Sequence, residues 1–367
     1  MIRQFVLTSV FALTFSQGSY AKSYQSEGQN FEFQTLTQQK DTVWGFDFLP
    51  DGKIIFTERS GVLKIFDPKT KATQVIKGTP QVWASGQGGL LDVRVLPGSA
   101  NKIYLTYSEP IGQGATTALA SATLNGAELQ NLKKLFSAQD ANSNAIHFGS
   151  RIEFDGKGHV FITVGDRNNR PQVQSLGYHL GKSIRLNEDG TVPLDNPFVK
   201  INGAKPEIWT LGHRSPQGLF RNPVSGDLWL VEMGPFGGDE INLLKPGANY
   251  GWPVVTYGRE YTGEKIGEGT EKPGMESPVA YWVPSISPSG ANIYQGDVFP
   301  KWKGNIFLGN LGGTHLRRLA MADRKVVKQE ELLKDLGLRF RNVRPGPDGF
   351  LYLSTDDGKI ARLIPAK

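Results

Sequence analysis

A short pattern recurs six times along the chain, from residue 48 to the C-terminal region. Each copy has a turn containing Pro, Asp, Asn or Gly, followed by a run rich in β-branched, aromatic or leucine residues; the copies are 48–56, 96–105, 154–162, 222–230, 299–308 and 347–353. Turns of this kind between β-forming runs are typical of β-hairpins. The pattern therefore predicts six hairpins, spaced roughly 45 to 80 residues apart.

Regular recurrence at this spacing indicates a radial repeat. With a four-stranded sheet for each copy, the predicted fold is all-β: a six-bladed β-propeller, which arranges its sheets around a central channel. The content of 44 Gly and 22 Pro in 367 residues suits such a turn-rich protein. An irregular β-sandwich is the alternative, but it does not explain why the pattern continues to the C-terminal region. We expect one propeller domain over residues 22–367.

The first 21 residues have the features of a secretory signal peptide. Arg3 precedes an apolar run over residues 5–15, and Ser19, Tyr20 and Ala21 form a small-x-small cleavage site. The apolar run is too short to span a bilayer, and no later stretch is apolar enough. We therefore predict cleavage near Ala21 and a periplasmic or secreted protein with no membrane span.

Composition excludes several kinds of chemistry. The chain has no cysteine, which rules out disulfide scaffolds, thiolate metal sites and cysteine nucleophiles. The formal net charge is +6, but the Lys and Arg residues are scattered and no helical recognition motif is present, so binding to nucleic acid is not predicted.

Two long segments, 165–181 and 234–275, exceed hairpin length, and functional sites tend to lie on such loops. Elsewhere in the chain, Gln87 stands beside two glycines that would let the backbone approach a flat ligand. His147 has a side chain whose pKa suits proton abstraction near neutral pH. Arg214 lies in a loop bounded by Gly and Pro.

Two further segments carry charges. Residues 234–242 combine a carbonyl-rich turn with two carboxylates, a mixture of oxygen ligands that calcium takes. Arg339 and Arg341 alternate on a strand-like segment, so that both can face one side and bind carboxylates or phosphates. Taken singly, each of these segments is better explained by turn chemistry or solvated charge.

Together the motifs resemble one known family. The chain is similar to the soluble aldose sugar dehydrogenases that use pyrroloquinoline quinone (PQQ), relatives of soluble quinoprotein glucose dehydrogenase. The resemblance runs from about residue 42 to residue 365 and is carried by 86–91, the His147 segment, 212–218, 234–242, 249–253 and 339–347.

The resemblance implies a six-bladed propeller that holds PQQ and calcium at the top of its channel. It implies that His147 is the general base that removes the substrate hydroxyl proton. The residues implied for cofactor binding are Gln87, Arg214, Ser215, Tyr261, Asn310, Leu311, Gly312, Arg339 and Arg341. Those implied for calcium are Gly234 and Pro235 beside the cofactor, with Glu240 and Tyr250 at a second, structural site.

The chain departs from the family pattern at two of these positions. The family usually has Asn where Ser215 stands and Lys where Gly312 stands. Loss of a charged hydrogen bond costs on the order of 1.5–3 kcal/mol, so we expect weaker cofactor binding unless another cation compensates. The nearby candidates in the sequence are His315, Arg317 and Arg318.

The implied function is an exported dehydrogenase that oxidises the C1 hydroxyl of aldose sugars to lactones. Its partners would be the aldose substrate and an external electron acceptor, and the protein would be a monomer or homodimer. Two alternatives stay open at this point: a calcium-dependent hydrolase of the lactonase type, and a non-catalytic carbohydrate-binding propeller.

Overall fold

A computed structural model describes residues 22–139 and 141–366 of the chain. The predicted signal peptide, residues 1–21, lies outside the described residues. Within the described ranges, 25 strands form six antiparallel sheets, and no helix is long and apolar enough to cross a membrane. The six-bladed β-propeller predicted from the sequence is confirmed.

The strands follow the chain order from blade to blade. The chain begins with β1 (Ser23–Ser26) and β2 (Gln29–Gln38). Blade 1 contains β3 (Val43–Phe48), β4 (Ile54–Glu58), β5 (Val62–Phe66) and β6 (Thr73–Ile76). Blade 2 contains β7 (Leu90–Val95), β8 (Lys102–Ile111), β9 (Gly114–Asn125) and β10 (Glu128–Ser137). Blade 3 contains β11 (Gly149–Phe154), β12 (His159–Val164), β13 (Lys182–Asn187) and β14 (Ile208–Leu211).

The second half of the chain completes the ring. Blade 4 contains β15 (Ser215–Arg221), β16 (Leu228–Met233), β17 (Asp239–Leu243) and β18 (Ala280–Trp282). Blade 5 contains β19 (Pro288–Ile293), β20 (Ile306–Asn310), β21 (Leu316–Ala322) and β22 (Lys325–Leu332). Blade 6 contains β23 (Phe340–Pro345), β24 (Leu351–Thr355) and β25 (Lys359–Pro365), with β2 and β1 added outside β25. Short 3-10 turns span Arg170–Gln172, Pro300–Trp302 and Lys334–Leu336.

The first strand of each blade lies at the channel. Each first strand (β3, β7, β11, β15, β19 and β23) contacts the first strands of both neighbouring blades, which closes an inner ring. All six copies of the repeated turn connect the first strand of a blade to its second strand. The sequence pattern therefore marks the same corner of each blade.

The apolar core lies between the blades. Six clusters of buried apolar side chains each pack between two neighbouring sheets, one cluster for every junction around the ring. The ring is closed within blade 6 by strands that are distant in the sequence. There β2 pairs with β25, from Phe31 opposite Pro365 to Gln38 opposite Lys359. The two ends of the described chain thus complete one sheet, and closure limits the number of unpaired strand edges.

One arginine crosses the channel axis. Arg151 of β11 donates to the carbonyl oxygens of Gln217 (2.6 Å), Arg341 (2.8 Å) and Trp44 (3.4 Å). Its guanidinium also lies 3.5 Å from the buried carboxylate of Asp92 and 4.0 Å from the ring of Trp44. Burial lowers the pKa of Arg151 to about 10, opposed by Asp92, so the side chain stays charged at neutral pH. A side chain of blade 3 thereby joins blades 1, 2, 4 and 6.

Replacing this arginine tests whether the axial contacts stabilise the ring. We expect Arg151→Met, which keeps most of the volume, to lower the free energy of unfolding by about 3–5 kcal/mol, because it leaves the charge of Asp92 buried without its partner. Urea unfolding followed by tryptophan fluorescence would measure the loss. The matched control is Arg324→Met, which removes an exposed ion pair with Asp227 and should cost less than about 1 kcal/mol. Equal effects of the two substitutions would contradict this role.

Candidate active site

A cavity of about 430 Å³ opens at the end of the channel where the first strands begin. Every blade supplies a lining residue from just before its first strand: Thr42, Gln87, His147, Arg214, Ser287 and Arg339. Trp44, Leu91 and Phe148 add apolar surface. Residues from six distant parts of the sequence therefore meet because the inner strands all enter the ring at the same side.

A histidine and an aspartate form a buried pair at this cavity. The Nδ1 atom of His147 lies 2.7 Å from Oδ1 of Asp166, which stands in the long segment after β12. The other carboxylate oxygen accepts a hydrogen bond of 2.8 Å from the indole Nε1–H of Trp252, and the backbone N–H of Asn168 donates to Oδ1 at 2.8 Å. With these donors an ionised Asp166 holds the proton on Nδ1 of His147, which leaves Nε2 as the basic nitrogen.

The backbone at His147 has a positive φ of 55°. Two contacts hold this left-handed conformation: the backbone N–H of His147 donates to Oε1 of Gln87 at 2.8 Å, and Gly165 packs against its carbonyl group. A Cβ atom at Gly165 would lie only 2.0 Å from the carbonyl oxygen of His147, so only glycine fits there. Non-glycine residues with positive φ are uncommon and are enriched at functional sites.

The surroundings keep the imidazole neutral. Burial lowers the pKa of His147; the hydrogen bond that its Nδ1–H donates to Asp166 opposes this, and the positive charges of Arg214 and Arg167 add to the lowering. The net result is a pKa below the usual value for histidine. His147 is therefore unprotonated at neutral pH, as a general base must be.

Positive charge dominates the rest of the cavity. Four guanidinium groups line it, those of Arg59, Arg214, Arg339 and Arg341, and within the described ranges Asp356 is the one carboxylate among the lining residues.

Arg214 donates to the carbonyl oxygens of Met233 (3.1 Å) and Gly234 (2.7 Å), and Arg59 also donates to backbone carbonyls. These acceptors carry no charge. The positive charges of both side chains are therefore not neutralised by the carbonyl groups they contact.

Two arginines share the single carboxylate. The Nε atoms of Arg339 and Arg341 donate to separate oxygens of Asp356 at 2.8 and 2.7 Å, as expected from their alternation in the sequence. Burial acts to raise the pKa of Asp356, but the charges and hydrogen bonds of Arg341 and Arg339 outweigh it, and the pKa lies below the usual value. The excess of positive charge favours a ligand with several carboxylate or phosphate groups.

A much smaller cavity adjoins the first and contains an acid pair. It has room for about one water molecule or ion, roughly 10 Å³, and is lined by Glu232, Glu240, Tyr250 and Thr256 among others. Burial and the neighbouring carboxylate of Glu232 raise the pKa of Glu240 well above its usual value. Oδ1 of Asn242, which is buried beside the pair, has no hydrogen-bond partner in the described structure. Carboxylate oxygens such as those of Glu232 and Glu240 are ligands that calcium takes.

The structure brings most of the predicted site residues together. The predicted residues that line the large cavity are Gln87, His147, Arg214, Gly234, Pro235, Tyr261, Leu311, Arg339 and Arg341. Glu240 and Tyr250 line the small cavity. Ser215, Asn310 and Gly312 line neither: Ser215 accepts a hydrogen bond from Gln217, and Asn310 donates to the carbonyl of His315 within blade 5.

The three cations proposed to compensate for Gly312 point to other partners. Arg317 and Arg318 pair with Glu331 and Glu330 on β22, and Nδ1 of His315 lies 2.8 Å from the carbonyl oxygen of Gly313. None of the three lines the large cavity, and Arg317 and Arg318 lie on β21, which pairs with β22.

A different group occupies the space beside Gly312. A Cβ atom built there would lie 2.7 Å from the hydroxyl oxygen of Ser287, and Ser287 itself lines the cavity. The hydroxyl group of Ser287 in the cavity wall thus lies where it would clash with the Cβ atom of a larger residue at position 312.

Sequence reasoning missed several residues of the site. Asp166 and Trp252 were not identified, although both lie in or next to the long segments in which the site was expected. Arg59 and Asp356 follow ordinary strands and carried no signal of their own. Glu232 lies inside β16, where alternation alone does not show that its side chain meets Glu240.

The fold and the site define a class of protein: a six-bladed propeller whose axial cavity combines a buried imidazole with four guanidinium groups. The chain belongs to the glucose/sorbosone dehydrogenase family, which matches residues 40–362. The family predicted from the sequence and its class, oxidoreductase enzymes, are thereby confirmed.

Several relatives are similar over most of the chain. Aldose sugar dehydrogenase YliI of Escherichia coli (strain K12) is 41% identical over 342 residues, covering 90% of this chain and 92% of that protein. Quinoprotein glucose dehydrogenase B of Acinetobacter calcoaceticus is 32% identical over 289 residues, covering 69% of this chain and 58% of that protein.

Solved structures agree with the fold. The soluble aldose sugar dehydrogenase of Escherichia coli, in its apo form, has a TM-score of 0.89 at 40% identity and covers 92% of this chain and 100% of its own. The PQQ-bound form of an aldose sugar dehydrogenase from Streptomyces coelicolor has a TM-score of 0.77, covering 94% of this chain and 99% of its own, but its 24% identity makes this a likeness of fold.

The histidine–aspartate pair can be tested without any ligand. We expect Asp166→Asn to lower the pKa of His147 further, by about one pH unit, because the carboxylate is the group that raises it. A pH titration of the histidine Cε1–H signals by NMR would measure the change. The matched control is Asp155→Asn, whose carboxylate lies 2.6 Å from His159; it should alter the His159 signal and leave that of His147 in place. A rise in the pKa of His147 in Asp166→Asn would contradict the assignment.

Proposed function

We propose that this chain is an exported quinoprotein that oxidises the C1 hydroxyl of aldose sugars to lactones, with PQQ as cofactor and calcium as metal. The observation that carries the proposal is the neutral His147, held by Asp166, inside a cavity lined by four arginines. Membership of the glucose/sorbosone dehydrogenase family supports it. The proposal includes one propeller domain over residues 22–367 that follows a cleaved signal peptide.

The cavity suits the proposed cofactor. PQQ is a flat tricarboxylate, and the cavity of about 430 Å³ lies in the usual range for sites of small organic ligands. Gln87, Arg59, Arg214, Arg339 and Arg341 supply amide and guanidinium donors for its carboxylates. Because Oε1 of Gln87 accepts from the backbone of His147, its Nε2 group is left as a donor.

The proposed reaction divides between a base and an electron acceptor. The C1 hydroxyl of the sugar gives its proton to Nε2 of His147, and the hydrogen on C1 leaves with its electron pair as a hydride, so that C1 becomes the carbonyl carbon of the lactone. When bound, PQQ supplies the acceptor for this hydride. Asp166 stabilises the imidazolium that forms on His147, and the burial of the pair excludes water from Nδ1.

Calcium is proposed at two places. Gly234 and Pro235 line the large cavity, where their backbone carbonyls would hold a cation that polarises the quinone. Gly234 already accepts a hydrogen bond from Arg214, so a cation there would share that oxygen. At the second place, the carboxylates of Glu240 and Glu232 would provide hard oxygen ligands, with Tyr250 beside them, in a space of about the size of one ion.

The catalytic proposal predicts a specific loss of activity. We expect the protein, supplied with PQQ and calcium, to reduce a dye with aldoses as donors, and His147→Gln to slow this about 10²–10⁴-fold, because the general base is removed. Absorbance titration with PQQ should show that the variant still binds the cofactor. The matched control is His159→Gln, a histidine at the start of β12 outside the cavity, which should keep full activity.

Measurements of lactone hydrolysis and of sugar binding on the same protein separate the alternatives. Lactone hydrolysis without PQQ would favour the calcium-dependent hydrolase. Sugar binding without PQQ uptake, unaffected by His147→Gln, would favour the carbohydrate-binding propeller. Failure of every aldose to reduce the dye despite bound PQQ would remove the proposed activity.

The second calcium site makes a separate prediction about stability. Calcium at about a hundredfold above its Kd should add about 2.7 kcal/mol to the free energy of unfolding. Glu240→Gln should abolish this gain and change stability in chelator little, because the raised pKa makes Glu240 resemble the neutral amide. Thermal unfolding with calcium or EDTA measures both effects. Glu276→Gln, which loses only an exposed ion pair with Lys245, should keep the full calcium response.

A further inference from the structure

A further cavity, separate from the large and the small one, lies at the opposite end of the channel. It has a volume of about 340 Å³ and is lined by one residue from the end of every inner strand: Asp47, Arg94, Glu153, Arg221, Asn292 and Arg344. None of these residues takes part in the site described above. We call this ring of residues the lower ring.

The charged residues of blades 1, 2 and 3 in the lower ring pair with one another. Arg94 donates to Oδ2 of Asp47 at 3.0 Å and to both oxygens of Glu153 at 2.9 and 3.3 Å. The backbone N–H of Val95 also donates to Asp47, and that of Phe154 donates to Glu153. Glu153 thus uses both oxygens on Arg94. Asp47 accepts these hydrogen bonds on Oδ2 alone, and its Oδ1 faces Arg344.

The remaining half of the lower ring carries only donors. Arg221, Asn292 and Arg344 come from three consecutive blades, 4, 5 and 6. The amide oxygen of Asn292 accepts from the backbone N–H of Ile293, which leaves its NH₂ group as a donor. Within the part of the chain that the structure describes, Arg221 has no carboxylate within 4 Å.

Arg344 is the least satisfied of these groups. Its Nε atom is buried and has no hydrogen-bond partner among the described residues. The nearest carboxylate oxygen, Oδ1 of Asp47, lies 3.8 Å away, beyond hydrogen-bond distance. A buried donor without a partner costs free energy, and a charged one costs more. An anion in the cavity would supply an acceptor and a negative charge to this guanidinium group.

We propose that the donor half of the lower ring, formed by Arg221, Asn292 and Arg344, binds a small oxyanion. Guanidinium groups pair with phosphate and carboxylate oxygens by charge-assisted hydrogen bonds, often two at a time. The shared chemistry is an anion of phosphate or dicarboxylate type. It would complete the charge pairing of the lower ring and tie blades 4, 5 and 6 together at the end of the channel away from His147.

Site-resolved NMR can separate this site from the arginines of the large cavity. The arginine Nε–Hε signals of the full protein would be followed while inorganic phosphate, and separately malonate, is added. Arg344→Gln identifies the Arg344 signal, and Arg214→Gln identifies a signal of the large cavity. We expect the Arg344 signal to shift and to saturate, with phosphate and malonate distinguishing the two types of anion.

Substitution of the second arginine tests the composition of the site. We expect Arg221→Gln to weaken the saturating response of Arg344 at least tenfold and to leave the response of Arg214 unchanged. The matched control, Arg324→Gln, removes an exposed arginine paired with Asp227 and should change neither response. A response of Arg344 that does not saturate, or that is equally strong in Arg221→Gln, would overturn the proposal.

Discussion

The structure depends on how polar groups are paired where the six inner strands converge. Arg151 provides the central contact, since its guanidinium accepts no hydrogen bonds and must find oxygen atoms in every direction. The carbonyl oxygens it reaches belong to Trp44, Gln217 and Arg341, and these three residues also line the large cavity. The contact that joins four blades to blade 3 therefore also positions the backbone beneath the ligand cavity.

The inner strands also share a structural irregularity, a β-bulge. Each of the six has a register shift against the second strand of its blade, between Val43 and Phe46 in blade 1 and at matching places in the others. Bulges of this kind bend a strand and change the direction of its side chains. They lie between the cavity end and the lower ring in every blade, so the two ends of one short strand can present different chemistry to the channel.

The repeated turn predicted the fold because it reports a local property: each copy marks the same corner of one blade, and closure follows from six such units. Gln87, His147 and Arg214 could be predicted because each stands in an unusual local motif, which carried the family resemblance. Asp166 and Trp252 could not, since they are 86 residues apart and only the packing of two long loops brings the indole to the carboxylate. Ser287 beside Gly312 is a similar case, because the space that one residue leaves and the other fills is a property of two separate loops.

The charges of the large cavity act on ligand and base together. Arg214 attracts an anion and also lowers the pKa of His147 through its positive charge. A bound polycarboxylate would bring negative charge close to Arg214 and so weaken this contribution to the lowered pKa of His147. Asp166 keeps the proton of Nδ1 fixed. Arg214 would therefore have two effects: it would bind the negative charge of the cofactor, and the bound charge would in turn offset the effect of Arg214 on the pKa of His147.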